Sequence, residues 1–331
     1  PLGSPAVGAG RVFFVSNEGV VCALDAERGT LLWTRELARE HGSKPGEYGF
    51  GASPVLLGDT LLVCVDRLVA LEAASGAPRW VSEPLGAYHA TPAPVTLAGD
   101  ARLGVFGQER VSVLDPADGA VHGVFPWHEG HVGKSIATPV VLGEHLFVSA
   151  GEGIGGALLD FALDPPRALW TTRALRSAIA GCVRVGDALY GFDESILKCL
   201  DLDGRELWRE RGLGDGSLVA AGGRLLVLDC EGALRIVRAT EERYEELAHQ
   251  DLFDEGNFWA PPVFAHGRIF ARSSLGELVC SDHRGDEAPG ESDEAPPLTD
   301  VALPPATALF ERHLELVGGR ARVEALVSLR R

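Results

Sequence analysis

The chain has 331 residues, 46% of them hydrophobic, so it is long enough to bury a large core. Its 47 acidic residues outnumber its 30 basic residues, and its formal net charge is −17. No cluster of lysine or arginine offsets this charge, so the composition disfavours nucleic acid and anionic lipid as partners. The sequence contains no methionine and no apolar run of the ~20 residues that would span a membrane. We expect it to be an internal segment of a longer protein.

The first 82 residues contain the same pattern twice. Residues 4–36 hold four short apolar runs separated by turn residues, and residues 52–82 repeat these runs turn for turn. Short runs rich in valine and leucine between tight turns predict an antiparallel meander. The two copies share an acid, a glycine and a tryptophan at matching spacing: Asp25, Gly29 and Trp33 in the first, Glu72, Gly76 and Trp80 in the second.

Further copies begin near residues 91, 138, 180, 217 and 261, so that seven repeats fill residues 1–283. A four-stranded repeat of roughly 40 residues predicts one blade of a β-propeller. A single blade cannot cover both of its apolar faces, so the blades must stack around a centre. We expect the fourth-strand tryptophans to pack between blades, where a large ring covers most area; these are Trp33, Trp80, Trp170 and Trp208.

Two repeats depart from the pattern. The third has Gly123 where the tryptophan is expected and Trp127 four residues later, which predicts a shifted or bulged fourth strand. The seventh has three strands, and the chain then turns acidic. In propellers a missing fourth strand is often supplied by the other terminus, which closes the ring and removes the open edge.

Three features resemble chemical motifs but are better explained by the repeats. Residues 151–156 spell GxGxxG after a strand, but an alternating strand ended by two prolines follows, so we predict a glycine-rich hairpin. His128, Glu129 and His131 stand in a glycine-containing loop at the wrong spacing for zinc on a helix. The six cysteines form no CxxC, and we predict buried thiols, with Cys22, Cys199 and Cys280 at one equivalent third-strand position.

The repeats resemble a known family. The pattern Ala-Leu-Asp-x-x-x-Gly-x-x-x-Trp at residues 23–33 looks like the tryptophan-docking motif of propellers built from pyrroloquinoline-quinone (PQQ) repeats. It recurs at residues 70–80, and, one residue shorter, from Asp201 to Trp208. The chain is most similar to the non-enzymatic branch, to which BamB-like proteins and planctomycete-type PQQ-like repeat proteins belong. The resemblance implies an all-β fold with four-stranded antiparallel blades, and it implies eight blades for the intact protein.

The C-terminal residues differ in composition from the repeats. Residues 284–305 are acidic and rich in proline, which predicts a flexible linker. Residues 306–331 place apolar side chains at helical spacing around a Gly-Gly pair. We predict a short helical hairpin there, and two interpretations remain: an α-hairpin of the propeller, or the opening of a domain similar to the lipoprotein carrier LolA.

The candidate binding site is a rim of residues on the connections between blades, where propellers usually carry their function. Tyrosine, tryptophan, lysine, histidine and asparagine on one rim are typical of a binding surface. The predicted rim consists of Tyr48, Phe50, Tyr88, His89, Lys134, Ser135, Arg176, Ser177, Asp215, Ser217, Asn257, Phe258 and Trp259.

The resemblance leaves two functional hypotheses. The favoured one is a non-catalytic scaffold without cofactor or metal, which binds a protein, peptide or envelope component and is extracytoplasmic, in the periplasm. The alternative is a PQQ-dependent quinoprotein oxidoreductase whose missing ligands lie in a further blade. That family holds Ca²⁺ through Glu, Asn and Asp oxygens and has paired cysteines, whereas this chain has only Asn17 and Asn257 and no Cys-Cys pair.

Overall fold

The computed structural model of the chain describes residues 3–46, 48–128 and 135–283. The chain divides into two compact units, and the description below concerns the larger one, residues 1–26 and 31–285. The predicted C-terminal helical hairpin and the acidic linker lie outside the described residues. Among the residues described, no helix is long and apolar enough to cross a membrane.

Within the described residues, twenty-seven strands form seven separate antiparallel sheets in a propeller arrangement, which confirms the predicted all-β fold. Each sheet contains strands consecutive in the chain. Blade 1 consists of β1 (Ala6–Gly8), β2 (Arg11–Val15), β3 (Val20–Asp25) and β4 (Leu31–Glu36). A short helix, α1 (Leu37–Glu40), follows it. Blade 2 consists of β5 (Val55–Leu57), β6 (Thr60–Val65), β7 (Arg67–Glu72) and β8 (Pro78–Val81).

The remaining blades follow the same order. Blade 3 consists of β9 (Ala93–Leu97), β10 (Asp100–Phe106), β11 (Arg110–Leu114) and β12 (Val121–Pro126), and blade 4 of β13 (Val140–Leu142), β14 (His145–Ala150), β15 (Gly155–Asp160) and β16 (Arg167–Thr172). Blade 5 consists of β17 (Val183–Val185), β18 (Ala188–Asp193), β19 (Ile196–Asp201) and β20 (Glu206–Glu210). Blade 6 consists of β21 (Ser217–Ala221), β22 (Arg224–Leu228), β23 (Ala233–Arg238) and β24 (Glu246–Asp251). Blade 7 consists of β25 (Val263–Ala265), β26 (Arg268–Arg272) and β27 (Leu278–Asp282).

The turn between the second and third strands is fixed by a side chain in three blades. Ser16, Asp229 and Ser273 occupy the same turn position, and the side-chain oxygen of each accepts hydrogen bonds from the backbone N–H groups two and four residues later. Such local bonds satisfy backbone donors that the hairpin leaves unpaired. The predicted glycine hairpin is also present, as the turn between β14 and β15.

Every four-stranded blade has a β-bulge at the same place between its third and fourth strands. In blade 1 the pairing runs from Ala23–Trp33 to Leu24–Leu31, so Leu32 has no partner opposite it. The bulge increases local twist and lets the next side chain point into the neighbouring interface. The unpaired residue is exposed in all six blades: Leu32, Arg79, His122, Leu169, Leu207 and Leu247.

The residue after the bulge is a tryptophan in four blades, and it lies on the next blade. The ring of Trp33 covers Gly76 so closely that a Cβ there would lie 2.8 Å from it, and its indole N–H donates to the carbonyl of Ala73 at 3.1 Å. Trp80 lies in the same way on Gly119. Trp170 lies on Gly204, and Trp208 donates to a backbone carbonyl in the corresponding turn of blade 6.

In blade 3, different residues fill the interface with the next blade. Its bulge is in the common position, so the fourth strand is bulged as predicted but no more displaced than the others. Gly123 leaves a space that Phe161 fills from the turn of blade 4, 3.1 Å from the position a Cβ would take. Trp127 lies beyond the strand, buried, with its ring edge-on to Phe106 at 5.3 Å.

Two predictions about cysteines are wrong. Cys199 and Cys280 lie two residues before the end of their third strands, whereas Cys22 lies three before, which places its side chain on the opposite face. Cys22, Cys64 and Cys199 are buried, Cys182 is half-buried, and Cys230 and Cys280 are exposed. All six are free thiols.

Candidate binding surface

The connections between blades and the turns between second and third strands share one face of the propeller. Because a four-stranded antiparallel sheet returns the chain to the side where it entered, both kinds of loop lie on that side. Hydrogen bonds join them: Phe50 donates to Asn17 O, Leu85 to Asp66 O, and Cys230 to Leu213 O. We call the described connections the connector face; they are residues 41–46, 48–54, 82–92, 127–128, 135–139, 173–182, 211–216 and 252–262.

The first part of the predicted rim contains one exposed and two packed aromatic rings. Tyr48 is 52% exposed, whereas Phe50 is buried and stacks on Tyr88 with ring centroids 5.8 Å apart. The carbonyl of Tyr88 accepts from the N–H of Gly51 at 2.7 Å, which links adjacent connections. Burial, with the charge of Asp66 adding to it, raises the pKa of the Tyr88 phenol. Phe50 and Tyr88 therefore close the core.

His89 follows Tyr88 and is half-buried. Burial lowers the pKa of its imidazole, because a charged ring would lose hydration in this position. The neutral form is therefore favoured more strongly than in a free histidine.

The middle of the predicted rim is mostly buried. Ser135 and Ser177 are buried, and neither hydroxyl has a hydrogen-bond partner among the described residues. The backbone N–H of Ser177 donates to Ser149 Oγ at 3.0 Å. Lys134 lies outside the described residues, as do Glu129 and His131 of the histidine loop.

Arg176 is fixed by an ion network that sequence reasoning missed. Its Nε and Nη2 donate to the two carboxylate oxygens of Asp193 at 2.7 and 2.9 Å. Lys198 Nζ lies 2.6 Å from the same carboxylate and 3.1 Å from Glu206 Oε2, and it donates to the carbonyl of Ala174 in the connection. The side chains of Asp193 and Lys198 are only 1% and 7% exposed. The network thus ties blade 5 to the connection before it.

Blade 6 repeats this arrangement at equivalent positions. Arg235 takes the place of Lys198 and lies 2.7 Å from Asp229 and 2.9 Å from Glu246. Glu246 also accepts from the hydroxyl of Tyr244 at 2.8 Å, and His249 Nδ1 lies 2.8 Å from its other oxygen. In both blades a cation on the third strand pairs with two acids, one at the turn between the second and third strands and one on the fourth strand.

The networks lower the pKa values of their carboxylates. Burial alone would raise the pKa of Asp193, but hydrogen bonds from Arg176 and Lys198 outweigh it, and the pKa lies below its usual value. Burial likewise opposes ionisation of Glu246, and hydrogen bonds from Arg235, Tyr244 and His249 outweigh that effect to lower its pKa. Both acids are therefore held ionised near neutral pH.

The last part of the rim contains most of the exposed polar and aromatic groups. Asp215 and Asn257 are exposed, and Trp259 is 49% exposed. Ser217 is buried, and its hydroxyl lies 3.0 and 3.1 Å from the carbonyls of Phe258 and Ala260, which joins blade 6 to the next connection. The buried Phe258 stacks on Phe253, centroids 5.2 Å apart.

The predicted rim thus separates into two kinds of residue. Phe50 and Tyr88 join adjacent connections, Ser217 joins β21 to the connection that contains Phe258, and Arg176 is held by ion pairs. Tyr48, Asp215, Asn257 and Trp259 are exposed on the connector face. Among the residues that the structure describes, no group of three or more His, Cys, Asp or Glu side chains is arranged to hold a metal ion.

Comparisons with known proteins agree with this architecture. The sequence model of the family described as outer membrane protein assembly factor BamB matches residues 2–203. The solved structure of BamB from Moraxella catarrhalis is 20% identical and has a TM-score of 0.64, with 87% of this chain and 84% of that chain covered. No curated protein matches the chain.

Two further solved structures share the fold at lower identity. A europium-containing methanol dehydrogenase is 13% identical with a TM-score of 0.58, covering 84% of this chain and 72% of that one. The computationally designed Ika8 protein is 11% identical with a TM-score of 0.55, covering 83% of this chain and 94% of that one. Likeness at these identities concerns the fold and not the activity.

Proposed function

Because the chain belongs to the BamB family of PQQ-repeat propellers, we propose that it is a non-catalytic scaffold, without cofactor, that binds a protein, peptide or envelope component. The observation that carries this proposal is the pair of half-exposed aromatic rings, Tyr48 and Trp259, on the connector face. Large aromatic side chains are enriched among the residues that dominate protein interfaces. Asp215 and Asn257 add exposed polar groups on the same face.

Rigidity of the surrounding backbone supports the same proposal. The connection that contains Arg176 is tied to blade 5 by the Asp193 ion pairs, and the connection that contains Trp259 is tied to Ser217. A surface already fixed in its bound conformation loses little conformational entropy on association. Such a platform fits a protein partner.

The family supports a proposal about the nature of the partner. BamB is named as an outer membrane protein assembly factor. We propose that this chain acts outside the cytoplasm and that its partner is a protein of the cell envelope. The net charge of −17 favours a partner with a basic or neutral contact surface.

Site-specific photocrosslinking tests the surface. A benzophenone amino acid would replace Tyr48, Trp259 or, as a control, Leu169, which is 48% exposed but lies on a fourth strand away from the connector face. We expect one envelope protein to crosslink from residues 48 and 259 and not from 169. Equal labelling from all three positions would contradict the proposed surface.

Affinity measurements with the crosslinked protein give the second test. Tyr48→Ala and Trp259→Ala should each weaken binding by about 2 kcal/mol if they are central contacts. Leu169→Ala should leave the Kd unchanged. A normal Kd in both aromatic variants would place the binding site elsewhere.

Calorimetric titration with PQQ, with and without Ca²⁺, tests the absence of a cofactor. We expect no saturable heat and no dye-linked alcohol oxidation. Calcium-dependent binding with turnover would replace the scaffold proposal with a quinoprotein activity.

A further inference from the structure

Three loops meet around the exposed ring of Trp259, and we call them together the Trp259 corner. They are the connections 211–216 and 252–262 and the turn 229–232 between β22 and β23. The hydroxyl of Ser217 lies 3.0 and 3.1 Å from the carbonyl oxygens on either side of Trp259. Because Ser217 directly follows the first connection, the two connections meet at this residue.

The turn of blade 6 holds this surface in place. The N–H of Cys230 donates to the carbonyl of Leu213 in the first connection at 2.9 Å. A Cβ at Gly232 would lie 2.9 Å from the ring of Phe258, so that ring packs directly on the turn. Since the backbone around Trp259 is already fixed, this surface loses little conformational entropy when a partner binds.

The Trp259 corner carries exposed negative charge. Its exposed acids are Asp215, Glu231, Asp254 and Glu255. None of these four forms an ion pair with another of the described residues. A fifth acid, Asp229, is buried and paired with Arg235. The sequences of the three loops contain one cation, the exposed Arg211. The surface around the tryptophan ring is therefore negative overall.

Acids elsewhere on this side of the propeller are neutralised within the chain. Glu83 lies 3.0 Å from Arg110, and Glu194 lies 3.3 Å from Arg176. A partner gains little from charges that are already paired, because it would have to replace an existing ion pair. The unpaired acids around Trp259 are the ones on which a cationic partner can act.

The thiol of Cys230 responds to the same negative charge. Cys230 is exposed and precedes Glu231 in the turn of blade 6. Partial burial raises the pKa of this thiol, and the charges of Asp229, Glu231 and Asp215 raise it further. Carboxylates from the turn and from the first connection therefore act together at one place on the surface.

We propose that the Trp259 corner binds a basic segment of the protein partner, with a lysine or arginine side chain on the Trp259 ring. This inference rests on the proposed function and names the chemistry of the partner's contact. A cation over the face of a tryptophan is attracted by the π electrons of the ring. The surrounding carboxylates supply the opposite charge. A neutral or acidic segment would leave these four acids without a counter-charge.

Two labelled peptides test this chemistry before the partner is known. One has the sequence Lys-Ala-Lys-Ala-Lys and the other Gln-Ala-Gln-Ala-Gln, and both are capped at each end. We expect the lysine peptide to bind the 331-residue chain at about 20 mM salt, where screening is weak, and to shift the indole N–H resonance of Trp259 in NMR spectra. The glutamine peptide should do neither. Equal shifts from both peptides, or none from the lysine peptide, would overturn the proposal.

Matched variants locate the contact. Asp254→Asn/Glu255→Gln removes two charges from the Trp259 corner and should weaken binding of the lysine peptide about fivefold. The control, Glu144→Gln/Asp187→Asn, removes two exposed charges from turns between first and second strands, on the opposite side of the propeller. It should bind as the parent does. Trp259→Leu keeps an apolar side chain without π electrons and should weaken binding about threefold. Equal weakening in both double variants would show a general charge effect and overturn the proposal.

The crosslinked envelope protein separates this inference from the proposed function. Its Kd should rise with salt and in Asp254→Asn/Glu255→Gln. A partner that binds this variant and the parent equally would leave the scaffold function standing and overturn the basic contact. If no envelope protein crosslinks, the proposed function fails, whereas the lysine peptide still binds if the assigned chemistry is correct. A crosslink from residue 259 to residues 306–331 of the same chain, or to a second copy, would overturn the proposal, since the chain itself would then occupy the surface.

Discussion

The interface between blades 1 and 2 and the interface between blades 4 and 5 have the same geometry but different chemistry. In both, a fourth-strand tryptophan covers a turn glycine of the next blade: Trp33 on Gly76, and Trp170 on Gly204. The first interface is built around a cluster of buried apolar side chains. The second adds the buried pair of Lys198 and Asp193 on blade 5, which holds the connection from blade 4 through Arg176 and the carbonyl of Ala174.

This difference shows that the repeats share the position of the contact between blades but not the kind of interaction that stabilises it. Apolar packing does not titrate, whereas a buried carboxylate contributes to stability only while it is ionised. We therefore expect acid and charge-removing substitutions to act on the interface of blades 4 and 5, and volume changes to act on the interface of blades 1 and 2.

Removing Asp193 should have the largest effect. Asp193→Ala leaves Lys198 and Arg176 without their shared carboxylate, and loss of one partner of a buried pair costs about 3 kcal/mol of unfolding free energy. The measurement is urea denaturation. The double variant Asp193→Leu/Lys198→Met should regain most of the loss, because both buried charges of the pair are then gone, while Arg176 keeps Glu194 at 3.3 Å. A single variant as stable as the parent would show that the pair contributes nothing.

A methyl group on Gly76 should have the next largest effect. Gly76 has φ +73°, and a Cβ there would lie 2.8 Å from the Trp33 ring. Gly58 has φ +60° and no atom within 4 Å, so Gly58→Ala reports the backbone strain alone, about 1 kcal/mol. Gly76→Ala should lose about 1 kcal/mol more by thermal or urea unfolding, because the ring must move. Equal losses would mean that Trp33 adapts freely.

Lowering the pH should also distinguish the two interfaces, with a smaller effect on stability than either substitution. The pKa of Asp193 is lower in the folded chain than in the unfolded one. Its contribution is therefore complete above the unfolded value of about 4 and is lost as pH falls toward the folded pKa. The Tm measured from pH 6 to pH 3 should fall more steeply for the parent than for Asp193→Leu/Lys198→Met. Parallel curves would contradict this assignment.

His89 should give the smallest effect, and here the fold favours the neutral form of the side chain and not the ionised one. Its pKa is lower in the folded chain, so the unfolded chain binds more protons once pH falls below about 6.5. Stability should decrease slightly as pH falls from that value, and His89→Gln should remove this part of the slope. Denaturation midpoints at pH 7.5 and 5.5 provide the measurement; an unchanged slope in the variant would argue against it.

Most of the fold could be predicted from the sequence because it depends on local patterns. Turn residues, alternating apolar runs and a repeated tryptophan define a blade within about 40 residues. The cysteine comparison failed because Cys22 lies three residues before the acid that ends its third strand, whereas Cys199 and Cys280 lie two before, and successive strand residues face opposite sides of a sheet. Counting back from the third-strand acid, as for Cys22 and Asp25, would have placed these residues correctly.

The site was harder to predict because it depends on which side of a connection faces solvent. Phe50 and Tyr48 are two residues apart, yet one closes the core and the other is exposed. The ion networks were missed because their members lie on different strands. A signal was present: an acid at the second turn, a cation five or six residues later and a fourth-strand acid occur in two successive repeats, as in Asp193, Lys198 and Glu206.

The common bulge has a consequence for how such chains can evolve. Six blades place an unpaired residue and the residue after it at equivalent positions. In four of them that second residue is a tryptophan that contacts the next blade, so these four junctions are built in the same way. Duplication or deletion of one whole repeat by recombination would join surfaces that already match. Blade number is then easier to change than the sequence within a blade, and the solvent-facing residue at each bulge is free to vary without disturbing the junction.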